Sequence, residues 1–548
     1  MRSRFKLFSP KTPLVIAFLS GIVMGLTLAP VGLFPLAWTA LVPLWVLVAN
    51  ASTQKAIRYG LAWGFGYHGF ALFWVTGIHP MTWLGVPWAF SLAIALVCWL
   101  FVTLWGATLV AVWAAAISQL KKLQKTTHFQ LSISLFRILW GVALWCALEA
   151  LWSASPLWWT SLSLTQSPHN LAILQFAQLS GYTTVTAAIV AVNGLVAEGL
   201  IASIAMRVRV TYFLWSLTLI LWAGLHGMGL VLYNRPLVNE KPLQVGIIQG
   251  NIPNDIKLFA TGLQKSIQNY TEGYERLVQQ EVDVVLTPEG AIPLMLASLP
   301  ETALYQALLQ HKTPIWLGTY RKKAVEGKKS SYTNSLVTLT GKGQAFSQFD
   351  KVKLVPLGEY IPFEPILGKI IDRLSPLEAH QIAGDPHQVF DTPFGRAIVG
   401  ICYESTFAEH FRDQAARGGE FMITASNNAH YNAAMPAQHH AQDVLRAIET
   451  DRWAARATNT GYSGIVDPRG RTLWQSEIDT YEIHAATIYR RETQTLYVRW
   501  GNWLMWSLLG LSALMSLGFR VIYQRSLPKD RSLARRTTIN SSPSNAES

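Results

Sequence analysis

Charged side chains are scarce in this 548-residue chain: Asp, Glu, Lys and Arg make up 14% of it, while 51% of the residues are hydrophobic. This composition is unusual for a soluble protein. The apolar residues are concentrated at the two ends, whereas residues 240–495 have an ordinary soluble composition. The chain is therefore predicted to be an integral membrane protein that carries one globular insert.

Cysteine is also rare. Of the three cysteines, Cys98 and Cys146 fall within predicted membrane segments, where a role as small buried hydrophobic residues is expected. The insert holds one cysteine, Cys402, so it cannot form an internal disulfide. A lone thiol that stays reduced is suited to nucleophilic chemistry, provided that a base and an oxyanion partner lie near it.

The net charge of +13 does not indicate nucleic-acid binding, because the basic residues alternate along the chain. Lysines and arginines occur in the segments 2–11, 55–58, 121–137, 207–209 and 520–536. The connections at 29–34, 79–87 and 153–180 contain none. This alternation is the positive-inside bias of membrane proteins. No nucleic-acid partner is expected.

Apolar runs long enough to cross a bilayer predict eight spans. They lie at 13–30, 34–50, 60–78, 88–117, 135–153, 182–204, 212–233 and 502–522. The basic connections place both termini in the cytoplasm, so seven crossings leave the insert on the opposite face. The predicted organisation is a membrane domain at 1–235, the insert at 240–495, a last span at 500–523 and a basic, polar tail at 524–548.

Short apolar strands alternate with helical segments through the insert. Strand candidates are 242–249, 282–287, 314–317, 335–340, 396–401 and 420–425, with helices near 262–280 and 437–456. Because these strands are apolar along their whole length, neither face of a sheet built from them would be exposed to solvent. Sheets covered by helices are therefore expected. The predicted fold class is a multi-span α-helical membrane domain joined to a layered α/β domain.

Three side chains that follow predicted strands are the candidate catalytic residues. Glu289 comes after 282–287, Lys351 after 344–349 and Cys402 after 397–401. Strand ends hold side chains rigidly at the mouth of a pocket in an α/β domain. More than fifty residues separate each candidate from the next, so they could meet only in the tertiary structure.

This set of residue types suits acyl transfer. The Cys402 thiolate would attack a carbonyl and hold the acyl group as a thioester. Glu289 is expected to act as the base, with a pKa raised by a partly apolar pocket. Lys351 would stabilise the oxyanion, a contribution of about 3 kcal/mol for one donor. Glu359 would orient Lys351 or assist proton movement. Taken alone, a glutamate, lysine or cysteine at such a position is more often structural than catalytic. The prediction of a catalytic site therefore depends on all of these residues together.

The segments around these residues are PEGAIP at 288–293, DKVKLVPLGEYIP at 350–362 and ICYE at 401–404, supported by QGNIP at 249–253, YTNS at 332–335 and RATNTG at 456–461. Together they resemble the nitrilase (carbon–nitrogen hydrolase) superfamily and, more narrowly, the apolipoprotein N-acyltransferase family. The resemblance implies an αββα sandwich on the periplasmic face of a bacterial inner membrane. It implies a Glu–Lys–Cys triad at Glu289, Lys351 and Cys402, with Glu359 as a second essential glutamate.

The resemblance also implies the reaction and its partners. A fatty acyl chain would pass from a phospholipid to the cysteine, and then to the N-terminal amine of a diacylglyceryl-modified apolipoprotein. No metal or organic cofactor is implied, membrane lipid is the surrounding medium, and a monomer is expected. Tyr403 and Glu404, directly after the nucleophile, are predicted to bind substrate. Where the family commonly has NDAWF, this chain reads NNAHY at 427–431.

Two apolar segments, 256–260 and 361–374, are hypothesised to dip into the outer leaflet, with Leu258, Phe259 and Phe363 as substrate-contacting residues. Ordinary packing on the domain is the alternative. Glu149, inside the fifth predicted span, is expected to pair with Gln166 or Asn193 as a structural contact. Several tryptophans, among them Trp158 and Trp159, fit a belt at the membrane interface.

Two other functions fit parts of the sequence. A membrane-tethered amidase would use the same three residues with water as the acceptor. A transporter with an accessory domain would need charged residues along several spans and interrupted helices, and little of this is visible.

Overall fold

The computed structural model of the protein describes residues 11–121, 130–324, 331–356, 358–360, 380–429 and 431–526. Its N-terminal part is helical. Helices α1 to α9 are Thr12–Gly25, Val42–Ala49, Thr53–Ala71, Trp88–Gln119, Gln130–Ser153, Leu171–Leu174, Ala177–Ser180, Tyr182–Ile204 and Val208–Tyr233. Within the described ranges, four helices (α4, α5, α8 and α9) are long and apolar enough to cross a membrane. The shorter apolar helices are Thr12–Gly25, Phe34–Ala49, Leu171–Ser180 and, near the C-terminal end, Trp503–Phe519.

The predicted segment at 34–50 is helical but is not one continuous α-helix. The short 3-10 helix Phe34–Trp38 is followed, after a break, by α2. Asn193, on α8, bridges this break: its Oδ1 accepts a hydrogen bond from Leu41 N at 3.0 Å, and its Nδ2 donates to Ala37 O at 2.9 Å. Backbone groups at membrane depth need such partners because lipid tails offer none. One polar side chain therefore stabilises the interruption.

Glu149 is buried, and its carboxylate is fully engaged. The hydroxyls of Ser161 and Thr186 each donate to Oε2 at 2.8 Å. The Leu162 backbone N–H and the Trp145 indole N–H donate to Oε1 at 2.9 and 3.1 Å. The expected pairing with Gln166 or Asn193 is wrong in its partners, because neighbouring hydroxyls reach the carboxylate first. The expected structural role fits these contacts.

Within the described residues of the insert, thirteen strands form two sheets. Strands β1 to β13 are Pro242–Gln249, Val284–Leu286, Ile315–Lys322, Ser331–Leu339, Ala345–Asp350, His380–Gln381, Phe390–Thr392, Gly395–Ile401, Phe421–Ser426, Ala454–Thr458, Gly464–Val466, Thr472–Gln475 and Glu482–Tyr489. One sheet has the order β13-β1-β2-β3-β4-β5, with β6 paired to β4, and the other has the order β12-β11-β10-β9-β8-β7. Strands β1, β2 and β3 are parallel to one another, as are β8, β9 and β10.

The two sheets pack face to face and helices cover their outer sides. Helices α10 to α16 are Asn254–Lys257, Ala260–Val278, Ala303–His311, Ala408–Ala416, Ala434–Thr450, Leu496–Trp500 and Trp503–Ser526. Apolar side chains from both sheets, such as Leu286 and Val399, form the central core. Tyr274 of α11 and Leu308 of α12 pack on the first sheet, and Phe411 of α13 packs on the second. The predicted αββα sandwich is confirmed.

The α/β domain is joined to the membrane part through Gln438 on α14. Its Oε1 accepts hydrogen bonds from the indoles of Trp74 at 3.1 Å and Trp159 at 2.8 Å, and its Nε2 donates to Ala71 O at 2.9 Å. Trp158 and Trp159 are only 5% and 6% exposed. The expectation that these two tryptophans face the membrane interface is wrong, because they pack inside the molecule. Specific hydrogen bonds therefore hold the two parts of the molecule together at this junction.

Candidate active site

Cys402 lies on a sharp turn directly after β8. Its φ of +52° is in the left-handed region, which is uncommon for a residue with a side chain and signals a strained backbone. The Cys402 carbonyl accepts a hydrogen bond from Nε2 of His439 at 2.7 Å. Cys402 is 8% exposed, its sulfur lies 3.9 Å from the carbonyl oxygen of Asn427, and the negative charge of Glu289 acts on the thiol. Cys402 is therefore largely shielded from solvent.

Glu289 follows β2, and its side chain is held at both carboxylate oxygens. Nζ of Lys351 lies 2.9 Å from Oε1, and Nδ2 of Asn334 donates to the same oxygen at 2.8 Å. The backbone N–H of Asn427 donates to Oε2 at 3.0 Å. Gly290, the next residue, has a φ of +52° that suits glycine, and it lets the chain turn away at once. The carboxylate is therefore fixed beside the thiol.

Lys351 follows β5, and its ammonium lies between two carboxylates. Nζ is 2.9 Å from Oε1 of Glu289 and 2.7 Å from Oε1 of Glu359. The other oxygen of Glu359 accepts from Val355 N at 2.8 Å, which fixes the loop after the lysine. Asp350, just before it, accepts hydrogen bonds from Thr333, Ser335 and Arg321. The structure thus brings all four predicted residues into one cluster.

The charges in this cluster decide which groups are ionised at rest. Burial and the negative charge of Glu289 raise the pKa of the Cys402 thiol to about 12, against the opposing effect of Lys351. Burial alone would raise the pKa of Glu289, but the contact with the Lys351 ammonium, together with the smaller effect of the Lys257 charge, holds that pKa below its usual value. Burial opposes the charge of Lys351 too, yet Glu289 and Glu359 raise its pKa well above the usual range. The resting site contains a neutral thiol, a carboxylate and an ammonium.

The expected rise in the Glu289 pKa is therefore wrong. The expectation considered the apolar pocket but not an ammonium in direct contact with the carboxylate. An ionised Glu289 beside a protonated Cys402 is the correct starting state for a general base, because the base must be free to accept the proton.

Glu404 is fully buried and joins two parts of the site. Its Oε1 accepts from the backbone N–H groups of Val352 at 2.6 Å and Lys353 at 3.0 Å, next to Lys351. Its Oε2 accepts from Ile401 N at 2.7 Å, just before Cys402. These contacts favour a positioning role, and direct contact of Glu404 with substrate stays a prediction.

Tyr403 and its neighbours place the site against the membrane part. The Tyr403 ring is stacked on Trp159, with centroids 6.3 Å apart, and its hydroxyl donates to Pro156 O. The Tyr431 ring packs edge-on against Trp74 at 5.0 Å. Trp74 also lines an apolar cavity of about 420 Å³, together with residues of α1, α3 and α4 and with Asn432, Ala434 and Gln438. Aromatic side chains therefore connect the thiol to the membrane helices.

The predicted lipid contacts are described in part. Leu258 and Phe259 are 41% and 54% exposed, side by side at the surface between α10 and α11. Phe363 and the rest of the segment 361–374 lie outside the described residues. Substrate contact by Leu258 and Phe259 stays a prediction.

Several site residues were missed at the level of the sequence, although their segments had been noticed. Asn334 belongs to YTNS and contacts Glu289, and Asn459 belongs to RATNTG. Asn459 Nδ2 donates to Ile252 O at 2.7 Å and to Asn427 Oδ1 at 3.0 Å, which ties two site loops together. Lys257, just after QGNIP, donates from Nζ to Glu289 O at 3.2 Å. The motifs indicated that these segments belong to the site, but they did not indicate which side chains contact one another.

Across the described part of the chain, no cluster of three or more His, Cys, Asp or Glu side chains is arranged to hold a metal ion. The chemistry available at this site is that of the thiol, the carboxylates and the ammonium groups. They can move a proton from sulfur, form a covalent acyl intermediate and stabilise an oxyanion.

Both parts of the chain match families of known proteins. Residues 244–497 match the carbon–nitrogen hydrolase family model, and residues 20–195 match that of the apolipoprotein N-acyltransferase N-terminal domain. The chain is similar to the apolipoprotein N-acyltransferase of Nostoc sp., at 54% identity over 90% of this chain and 96% of the relative. It is 46% identical to that of Synechocystis sp., over 91% of this chain and 99% of the relative.

Among solved structures, Saccharomyces cerevisiae Nit3, of the nitrilase superfamily, is 17% identical over 48% of this chain and 94% of that chain, with a TM-score of 0.34. The sequence relatives are the stronger finding, because they match both the membrane part and the α/β domain. The chain belongs to the apolipoprotein N-acyltransferase family.

Proposed function

We propose that this chain transfers a fatty acyl chain from a phospholipid to the N-terminal amine of a diacylglyceryl-modified apolipoprotein. The supporting observation is the Glu289–Lys351–Cys402 cluster, built directly against the membrane helices through Tyr403 and Trp159. A soluble substrate would not require this placement, whereas a lipid substrate does. The names of the relatives point to the same reaction.

In the first half of the reaction, Glu289 takes the proton from the Cys402 thiol as the sulfur attacks the ester carbonyl of the phospholipid. The carbonyl oxygen becomes an oxyanion, which the Lys351 ammonium stabilises. When the intermediate collapses, the bond to the glyceryl oxygen breaks, and Glu289 returns its proton to that oxygen. A lysophospholipid leaves, and the acyl group remains on Cys402 as a thioester.

In the second half, the neutral amine of the apolipoprotein attacks the thioester carbonyl. Glu289 accepts the proton that the amine loses, the carbon–sulfur bond breaks, and the sulfur regains a proton from Glu289. The amide product carries the acyl chain, and the enzyme returns to its resting state. This is a ping-pong sequence with one covalent intermediate. Glu359 acts by holding the Lys351 ammonium in place.

The proposal includes the arrangement in the membrane. Seven spans precede the α/β domain and one follows it, within a bacterial inner membrane. Both termini are cytoplasmic and the α/β domain faces the periplasm, as the distribution of basic connections indicates. The domains run from 1 to 235, 240 to 495 and 500 to 523, with a tail to 548, and the enzyme acts as a monomer.

The direct test is the acyl intermediate. The purified full-length chain is incubated in vesicles with a phospholipid bearing an isotope-labelled acyl chain, and its intact mass is then measured. We expect one labelled acyl group on Cys402 that hydroxylamine removes, and none in Cys402→Ala. Cys98→Ala serves as the matched control and should load normally. Hydrolysis of small amides by a chain that never takes up the label would overturn the proposal in favour of an amidase.

A further inference from the structure

Lys257 is a buried lysine that the mechanism above does not use. It ends the short helix α10 and is 4% exposed, although Leu258 and Phe259, directly after it, lie at the surface. Its Nζ donates to the backbone carbonyl of Glu289 at 3.2 Å. Burying an ammonium is costly unless its surroundings compensate for the lost water. A lysine held at this place therefore calls for an explanation.

We propose that Lys257 is a positioning residue for acyl transfer, which fixes the turn that carries Glu289 and places a second positive charge beside the Glu289 carboxylate and the Cys402 sulfur. This inference deepens the proposed function and rests on it. Lys257 acts through Glu289 and Cys402 and is not assigned a contact with substrate.

The turn that Lys257 holds is tightly enclosed. A side chain at Gly290 would meet the hydroxyl of Tyr320 at 3.1 Å and Nζ of Lys257 at 3.7 Å. Gly290 has a φ of +52°, so the backbone turns sharply at this point. The hydrogen bond from Lys257 to the Glu289 carbonyl thus restrains a turn whose geometry sets the direction of the carboxylate.

The other end of α10 also reaches the site. Oδ1 of Asn254 accepts from Nδ2 of Asn427 at 3.2 Å, and the backbone N–H of Asn427 donates to Oε2 of Glu289 at 3.0 Å. Helix α10 therefore contacts Glu289 at its backbone through Lys257 and at its carboxylate through Asn427. A displacement of the exposed segment Leu258–Phe259 would be transmitted to Glu289.

The charges that face Lys257 come from two elements. Burial dominates and lowers the pKa of Lys257 to about 8, although Glu289, after β2, and the thiolate form of Cys402, after β8, both favour the ammonium. Beyond Glu289 lie Lys351 and Glu359, and Tyr320 lies across the turn. While Lys257 is protonated, its charge lowers the pKa of Glu289. It also favours the thiolate that forms during attack on the substrate.

The test compares Lys257→Met with Lys257→Arg in the full-length protein. Acyl loading of Cys402 from labelled phospholipid in vesicles is measured as a function of pH. We expect Lys257→Met to slow loading about tenfold and to move its acidic limb upward by about one pH unit. Lys257→Arg should restore the position of the limb. Lys265→Met, at an exposed lysine on α11, is the control and should match the wild type.

A second readout does not depend on lipid. Alkylation of Cys402 by iodoacetamide at pH 7, where Lys257 is still protonated, reports the fraction of thiolate. We expect Lys257→Met to lower this rate severalfold and Lys257→Arg to restore it, even if no phospholipid acylates the protein.

An unshifted pH profile of loading with an unchanged alkylation rate, or equal losses in the Met and Arg variants, would overturn the role of Lys257. Absence of loading in every form, with the alkylation difference intact, would instead overturn the proposed function. If Lys257→Met does not fold, Lys257→Gln replaces it under the same criteria.

Discussion

Nε2 of His439 lies 2.7 Å from the carbonyl oxygen of Cys402, and its Nδ1 lies 3.2 Å from Nδ2 of Asn428. Because a carbonyl can only accept, Nε2 carries the proton and Nδ1 accepts from Asn428. Burial, together with the charge of Arg456, lowers the pKa of His439 to about 3, so the ring is neutral. A neutral imidazole on α14 thus holds the backbone of Cys402 in its left-handed conformation.

Replacing this ring tests its role. His439→Phe keeps the ring volume but leaves the buried Cys402 carbonyl without its donor, which should lower the free energy of unfolding by about 1–3 kcal/mol. We expect thioester formation to slow as well, since the turn at Cys402 loses its restraint. Denaturant unfolding and the rate of acyl loading are the two measurements.

The matched control for this change is His440→Phe. His440 is equally buried, but its Nε2 contacts the hydroxyl of Thr472 at 2.9 Å rather than the nucleophile. The His440→Phe variant should lose about as much stability as His439→Phe, but its rate of acyl loading should equal that of the wild type. Equal slowing in both variants would show that His439 has no special relation to Cys402.

The thiol itself should titrate at unusually high pH. With a Cys402 pKa of about 12, the rate of alkylation by iodoacetamide should rise about tenfold per pH unit from 7 to 11. Mass spectrometry of the peptide that contains Cys402 gives this rate, with glutathione as the reference for an ordinary thiol. A plateau near pH 8 or 9 would mean that the resting site already holds a thiolate.

Asn334→Asp should move the pH dependence of acyl loading. The substitution places a second carboxylate about where Asn334 Nδ2 now lies, 2.8 Å from Oε1 of Glu289. A like charge raises the pKa of Glu289. In the proposed mechanism Glu289 acts as a base when ionised, so activity is present above its pKa and lost as the pH falls through it. The acidic limb should therefore shift upward by about one unit or more, and Asn334→Ala should shift it less.

Glu404→Gln should weaken the contact between the loop after Lys351 and the turn at Cys402. A glutamine amide can accept from one side only, so a backbone N–H near Val352 or Ile401 would lose its acceptor. We expect about 1–3 kcal/mol less stability and slower thioester formation. The control is Glu272→Gln, which removes an exposed carboxylate from α11. A loading rate unchanged from the wild type would argue against a positioning role for Glu404.

Much of the site could be predicted because strand ends are visible in the sequence. Apolar runs locate β2, β5 and β8, and Glu289, Lys351 and Cys402 follow them directly. The layered α/β arrangement follows from the same runs, because strands that are apolar throughout must be covered on both faces. The αββα sandwich itself was implied by the resemblance of the motifs to the nitrilase superfamily. Local patterns were sufficient for these features.

The remaining features depend on contacts between distant segments. The low pKa of Glu289 arises from Lys351, and no local pattern shows how close the two side chains come. His439 lies within a helix whose periodicity predicts burial but not the carbonyl that it meets. The side chain that hydrogen-bonds to the interrupted backbone at Leu41 is Asn193, more than 150 residues away in the sequence. Such pairings are set by the tertiary structure alone.

The neutral thiol of Cys402 has a consequence for the chemical survival of the enzyme. Peroxides oxidise thiolates far faster than thiols, and mixed disulfides form by the same anionic route. A sulfur that stays protonated offers these oxidants little to attack. The α/β domain also holds no second cysteine that could trap it in a bridge. The resting enzyme can therefore keep its nucleophile intact in surroundings that oxidise ordinary exposed cysteines.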